Sequence, residues 1–219
     1  PQWVTNFNNQ KRFMKYIDKG WDLYKPLTTY NESMTDDNPY EGKLYKAEKP
    51  VFPYNLKEMY EKNDAGVIRA TPFGNDILAE LAKEAILNEN LGKDNDTDFL
   101  TVSFSSPDYI GHIIGPRSVE LQDTYLRLDT TIADFLNFLD TQVGKDNYVL
   151  FLTADHAGAE NARFLADNKY NVTNVEPKEI RKSLKKFSQD TFGEDLVLNY
   201  SNFNLFFNNC FFSCFVGCF

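Results

Sequence analysis

An α/β fold, with a central and mostly parallel sheet flanked by helices, is the class this sequence predicts, and three features predict it. Phe99-Leu100-Thr101-Val102-Ser103-Phe104 is a short apolar run that follows a polar turn over residues 92–98. Residues 118–141 carry the longest helical period, with Leu121, Tyr125, Leu128, Ile132, Phe135, Leu136 and Leu139 on one face. Tyr148-Val149-Leu150-Phe151-Leu152-Thr153 is a second apolar run of strand length. Strand, long helix and strand, in that order, make a right-handed crossover unit of a parallel sheet.

The other elements follow in chain order. Trp3, Val4, Phe7, Phe13, Tyr16 and Ile17 recur at helical spacing over 3–17, interrupted by Asn8, Asn9 and Gln10. Residues 20–53 are rich in Tyr, Asn, Asp, Pro and Gly and hold no sustained period, apart from a possible short hairpin near Gly42. The stretch 20–70 therefore reads as an irregular insertion or cap on a domain that covers 1–208. A helix is expected over 71–88, where Phe73, Ile77, Leu78, Leu81, Ala82, Ala85 and Ile86 form a stripe and Thr71 or Asn75 can cap. Ser118 suits the N-cap of the long helix and Gly144 its exit. Residues 176–188 suit one more helix, with Pro177 in the first turn. From Asn209 the composition breaks into a Phe- and Cys-rich tail, atypical of the rest.

Composition limits the function classes. The 219 residues hold 23 basic and 32 acidic side chains, a net charge of −9, which argues against a nucleic-acid-binding surface. An anionic substrate stays open, because a bound metal inverts the local field. All three cysteines, Cys210, Cys214 and Cys218, lie in the tail, so the body has no disulfide framework and the redox compartment is left open. No apolar run is long enough for a transmembrane segment, and no signal peptide opens the chain at Pro1.

Two polar clusters stand where the two apolar runs end. Ser105-Ser106-Pro107-Asp108-Tyr109-Ile110-Gly111-His112 follows the first, and Ala154-Asp155-His156-Ala157-Gly158 the second. Ligands of open parallel sheets bind beyond the carboxyl ends of the strands, and these clusters contain both histidines of the chain. Asp108 and His112, four apart, share one helix face. Asp155 and His156, adjacent in a loop, can diverge toward two partners. This mixture of oxygen and nitrogen donors suits Zn²⁺, with Mn²⁺ or another divalent ion as the alternative. A pair of ions about 4 Å apart supports phosphoryl transfer. Helix capping by Asp108 and a satisfied, partly buried His156 are the bland alternatives.

The text of these clusters carries a resemblance. Ser106-Pro107-Asp108-Tyr109-Ile110-Gly111-His112, then Gly115-Pro116, Glu120, Asp123 and Arg127-Leu128-Asp129, then Phe151-Leu152-Thr153-Ala154-Asp155-His156-Ala157-Gly158 closely resemble the alkaline phosphatase and nucleotide pyrophosphatase superfamily. The nearest members are the bacterial phosphate-irrepressible alkaline phosphatases, grouped with type I phosphodiesterases. Weaker similarity runs back through Thr71-Pro72-Phe73-Gly74-Asn75 to Trp3 and forward to about Asn208. The resemblance implies an alkaline-phosphatase-like α/β domain, incomplete here. It implies that Asp108 and His112 ligate one zinc ion and Asp155 and His156 the other. It implies hydrolysis of small-molecule phosphate esters through a phospho-threonine or phospho-serine enzyme, in the periplasm or outside the cell. Phosphodiesterase or nucleotide pyrophosphatase activity, or a metal-binding piece without catalysis, are the alternatives.

The departures from the family pattern shape the expectation. Family members close the first ion's shell with a later histidine, and no third histidine exists here. They close the second with an early aspartate and the nucleophile, both expected upstream of Pro1. Thr71 matches the Thr-Pro-x-Gly-Asn element and not the nucleophile segment. The expectation is an internal piece of a longer enzyme that carries half of a two-zinc site. For the tail, an artefactual end, a short hydrophobic anchor and a cysteine site all stay open.

Overall fold

The computed structural model describes residues 1–173, 175–201 and 203–208. They fall into two compact units, Pro1–Asn161 and Ala162–Phe219. In the first, the period over 3–17 becomes two helices, α1 (Gln2–Asn9) and α2 (Met14–Lys19). The break falls at Lys11, whose φ of 46° is left-handed and interrupts a right-handed helix. Gly20, at φ 77°, ends α2.

The segment 20–70 is irregular as far as residue 55, with short 3₁₀ turns at Leu27–Thr29 and Leu44–Lys46 and a single bridge from Trp21 to Tyr54. Helix α3 (Leu56–Asn63) follows, capped by the Asn55 side chain on the Glu58 amide. Residues near Gly42 form no hairpin. Despite its irregular backbone this segment lies deep: Trp21, Leu44, Tyr54, Leu56 and Val67 are buried with Ile17, Ala70, Phe73, Ile110 and Ile114 in the main core. Trp21 anchors it edge-on to Phe52, with ring centroids 5.2 Å apart, and against Tyr54. Each such side chain contributes about 1.5–3 kcal/mol on burial, which holds a chain that lacks any regular period.

Helix α4 (Phe73–Asn88) packs on α6 (Val119–Leu139) through a second cluster, Ala82, Ile86, Phe135 and Leu139. Between them comes α5 (Ser106–Ile113), joined to α6 through Gly115 at φ 143°. Ser118 caps α6 as expected, its Oγ accepting from the Leu121 amide at 3.1 Å. The buried face of α6 differs from the apolar stripe: Glu120, Asp123 and Thr124 are buried, while Tyr125 is exposed. A hydrophobic period cannot show this, because buried carboxylates are scored as surface. After Leu139 the helix widens into a π turn over Asp140–Gly144.

Neither apolar run enters a β-ladder among the described residues. The ladder described is the antiparallel pair β1 (Val197–Ser201) and β2 (Asn204–Phe207) of the second unit. A parallel strand exists only through hydrogen bonds to its neighbours, and no described segment supplies them to 99–104 or 148–153. Most of their apolar side chains stand in solvent, Phe99 and Phe151 each 87% exposed, while Val102 and Tyr148 pack against the second cluster. The second unit also holds α7 (Ala162–Asp167) and α8 (Pro177–Phe192). Pro177 opens α8 as expected, and Gly193, at φ 76°, closes it one turn beyond the predicted end. The Phe- and Cys-rich tail, 209–219, lies outside the described residues.

Candidate metal centre

The site is built on α5. Pro107 starts the helix where its missing N–H costs nothing. Ile110 and Ile114 turn into the main core, and this fixes which face of the short helix looks outward. Asp108 and His112 occupy that outward face, one turn apart, with Asp108 Oδ1 3.3 Å from His112 Nε2. The base of α5 is held closely. Asn75 Oδ1 accepts from the Ser106 amide at 3.3 Å, and a Cβ on Gly74 would come within 2.6 Å of Ser106 Oγ. Asn75 was expected as a cap for α4; instead it is buried and faces the start of α5, with its Nδ2 unpartnered.

The second cluster meets the first. His156 Nε2 lies 3.5 Å from Asp108 Oδ1 and 3.7 Å from Asp155 Oδ2. His156 Nδ1 lies 3.2 Å from the Ala157 carbonyl oxygen, so the two ring nitrogens face different partners, Nδ1 a backbone carbonyl and Nε2 the two carboxylates. The loop therefore does not send Asp155 and His156 apart: both imidazoles converge on one carboxylate. All four side chains are substantially exposed, and Asp155 is 90% so.

The donor set suits zinc in kind. Two carboxylates and two imidazoles, none locked in a buried bond, are ligands that a divalent transition ion accepts. In number they stop short, because no group of three or more His, Cys, Asp or Glu side chains among the described residues is arranged to hold one ion. Each pair is at most half of a tetrahedral shell. Thr71, fully buried with its hydroxyl on the Ile68 carbonyl at 2.8 Å, has no access to this surface.

Sequence reasoning missed a buried polar hub on α6. Asp123, fully buried on α6, accepts from Trp21 Nε1 at 2.8 Å, the Tyr24 amide at 2.7 Å, the Tyr30 hydroxyl and Arg127 Nε at 2.6 Å. Arg127 also donates to the Asp22 carbonyl at 2.6 Å. Burial, and then the bond to Asp123, push the Tyr30 phenol up to about 12. The signals for it were the i, i+4 spacing of Asp123 and Arg127 on the long helix and the place of both in the text that carries the family resemblance.

Comparison with known proteins follows the same lines. A family model described as type I phosphodiesterase / nucleotide pyrophosphatase matches residues 1–194. A Myroides odoratus protein named calcium-transporting ATPase is 46% identical over 212 residues, 95% of this chain and 38% of that protein. Alkaline phosphatase PafA of Elizabethkingia meningoseptica is 40% identical over 210 residues, again 95% of this chain and 38% of the relative. The crystal structure of wild-type alkaline phosphatase PafA matches with a TM-score of 0.88 at 38% identity, over 98% of this chain and 41% of that one. The chain thus has part of the alkaline phosphatase fold, as expected, and spans 38% of the length of these curated relatives.

Proposed function

Because this chain belongs to the type I phosphodiesterase / nucleotide pyrophosphatase family, we propose that it is the part of a zinc-dependent phosphoric ester hydrolase that brings two pairs of metal ligands together. Asp108 and His112 are assigned to one ion, Asp155 and His156 to the other. The observation that carries this reading is the approach of both imidazoles to the single Asp108 carboxylate, at 3.3 and 3.5 Å, although His112 and His156 belong to separate segments of the chain. Ions held there would lower the pKa of a nucleophilic hydroxyl and of water, and would shield phosphate oxygens. The chain's own contribution is placement: α5 sets one pair on a helix face, and the loop turns His156 Nε2 toward Asp108.

The ligands that close each shell, and the threonine or serine nucleophile, are proposed to lie outside the described residues. The substrates proposed are small phosphate monoesters, and the compartment periplasmic or extracellular. No helix among the described residues is long and apolar enough to cross a membrane. The description of the matching family favours a second reading, hydrolysis of phosphodiesters or nucleotide pyrophosphates. Zinc titration followed by calorimetry tests the metal assignment. Two binding events are expected, one lost in Asp108→Asn with His112→Asn and the other in Asp155→Asn with His156→Asn. Unchanged titrations in both double variants would sink the assignment. Phosphate release from a monoester and a diester, assayed side by side, separates the two readings.

A further inference from the structure

The loop that carries Asp155 and His156 runs without regular structure from the end of the second apolar run to α7. Its residues are exposed as far as position 159, and partial burial begins at Glu160 and Asn161. Hydrogen bonds inside the loop are local: the Thr153 hydroxyl donates to the Ala154 carbonyl at 3.3 Å, and the His156 amide to Asp155 Oδ1 at 3.1 Å. Neither bond can place the loop against α5. Two ties to the rest of the first unit stand at its end. Arg117 Nε lies 3.0 Å from each oxygen of Glu160, with Nη2 2.9 Å from Oε1. Asn161 Nδ2 donates to the Tyr40 carbonyl at 3.0 Å.

Both ties end on one corner of the fold. Arg117 precedes Ser118, whose Oγ caps α6, and its own carbonyl accepts from the Met34 amide at 2.8 Å. The Gly42 amide donates to the Ile114 carbonyl at 2.7 Å, which brings the stretch around Tyr40 to the same turn. That turn continues from α5, the helix of Asp108 and His112. Exposed ion pairs are ordinarily worth little, and these two side chains keep 44% and 34% of their surface. Two charge-assisted hydrogen bonds to one carboxylate set this pair apart. Glu160 is four positions past His156, a stretch that spans about 14 Å at most. Upstream, the Tyr148 hydroxyl donates to Asp140 Oδ1 at 2.7 Å, but the eight positions from there to His156 allow about 28 Å.

We propose that Arg117 and Glu160 form a clamp that positions the second pair of ligands, holding His156 beside Asp108 before any metal arrives. Glu160 acts through the loop and is a positioning residue, not a ligand. The clamp rests on the metal assignment proposed above and supplies the reason an exposed loop stays against α5. Holding the loop removes freedom that a bound ion would otherwise have to remove, so the clamp raises the affinity of the Asp155 and His156 site. The pair on α5 needs no such help, because Ile110 and Ile114 already fix that helix in the main core.

Zinc titration by calorimetry, together with NMR of the histidine rings, tests the clamp. The chain has two histidines, so a single His112→Asn variant assigns both sets of ring signals. In Glu160→Gln, and equally in Arg117→Gln, the zinc event assigned to Asp155 and His156 should weaken by about tenfold or more, the usual effect of losing a group that supports a ligand. The event assigned to Asp108 and His112 should stay unchanged. In the metal-free chain the His156 signals should move to the free-imidazole position in both variants, while those of His112 stay. The double variant should bind no more weakly than either single one, because all three break the same pair. Equal weakening of both zinc events, a double variant weaker than the singles, or unmoved His156 signals in the metal-free variants overturn the clamp. If the wild-type chain takes up no zinc, the metal assignment falls, and the His156 signals alone decide whether the clamp stands.

Discussion

Asp123 shows how much one side chain organises. Four donors from three stretches of chain end on its two oxygens: the Trp21 indole, the Tyr24 amide, the Tyr30 hydroxyl and Arg127. Replacing the carboxylate with an amide removes the charge that Arg127 balances and turns one acceptor into a donor, amid groups that can only donate. Asp123→Asn should therefore cost about 3 kcal/mol or more, since breaking a buried pair leaves a charge uncompensated. Urea denaturation checks this, and a midpoint within error of wild type would refute the hub. At the candidate metal centre the sequence already named the residues that the fold brings near one another, Asp108, His112, Asp155 and His156. The Asp123 hub and the buried Glu120 were not, because nothing in a sequence marks a carboxylate as interior until its donors arrive from a hundred residues away.

Elements are held to one another by backbone as much as by side chains. Gly42 illustrates this where it meets the end of α5: a Cβ there would lie 2.0 Å from the Ile113 carbonyl oxygen, a contact that only a backbone shift relieves. Gly42→Ala should destabilise the first unit by about 3 kcal/mol, at the upper end of the cost of overpacking. The same substitution at Gly158, where no atom lies within 4 Å, should change stability by less than about 0.5 kcal/mol. Thermal unfolding of the pair distinguishes a steric cause from a general loss of glycine. The helices themselves were largely readable. The α6 start at its Ser118 cap, the α8 start at Pro177 and the α5 pairing at i, i+4 follow from local rules. Others were not, and α7 falls where no element was expected. The split of α1 from α2 depends on Lys11 entering a left-handed conformation, and α3 arose inside a segment whose composition suggested only loops.

For the molecule as a whole, the apolar runs at 99–104 and 148–153 expose several large side chains, with Val149 81% and Leu152 75% exposed beside Phe99 and Phe151. Exposed apolar side chains bind hydrophobic probes. The purified chain should bind an environment-sensitive naphthalene dye strongly while its circular dichroism stays native. The Val149→Thr, Phe151→Ser double variant should lose at least half of that signal, and equal fluorescence from both proteins would point to another source. The sequence by itself pointed to the family, the starts of α6 and α8 and the four candidate ligands, because caps, prolines and i, i+4 spacing act over a few residues. Only the tertiary structure decided that both imidazoles turn to Asp108, that an aperiodic segment anchors the core through Trp21 and Tyr54, and that Glu120 and Asp123 lie buried on α6. Those outcomes depend on which distant groups share a low-dielectric interior, and that is a property of packing.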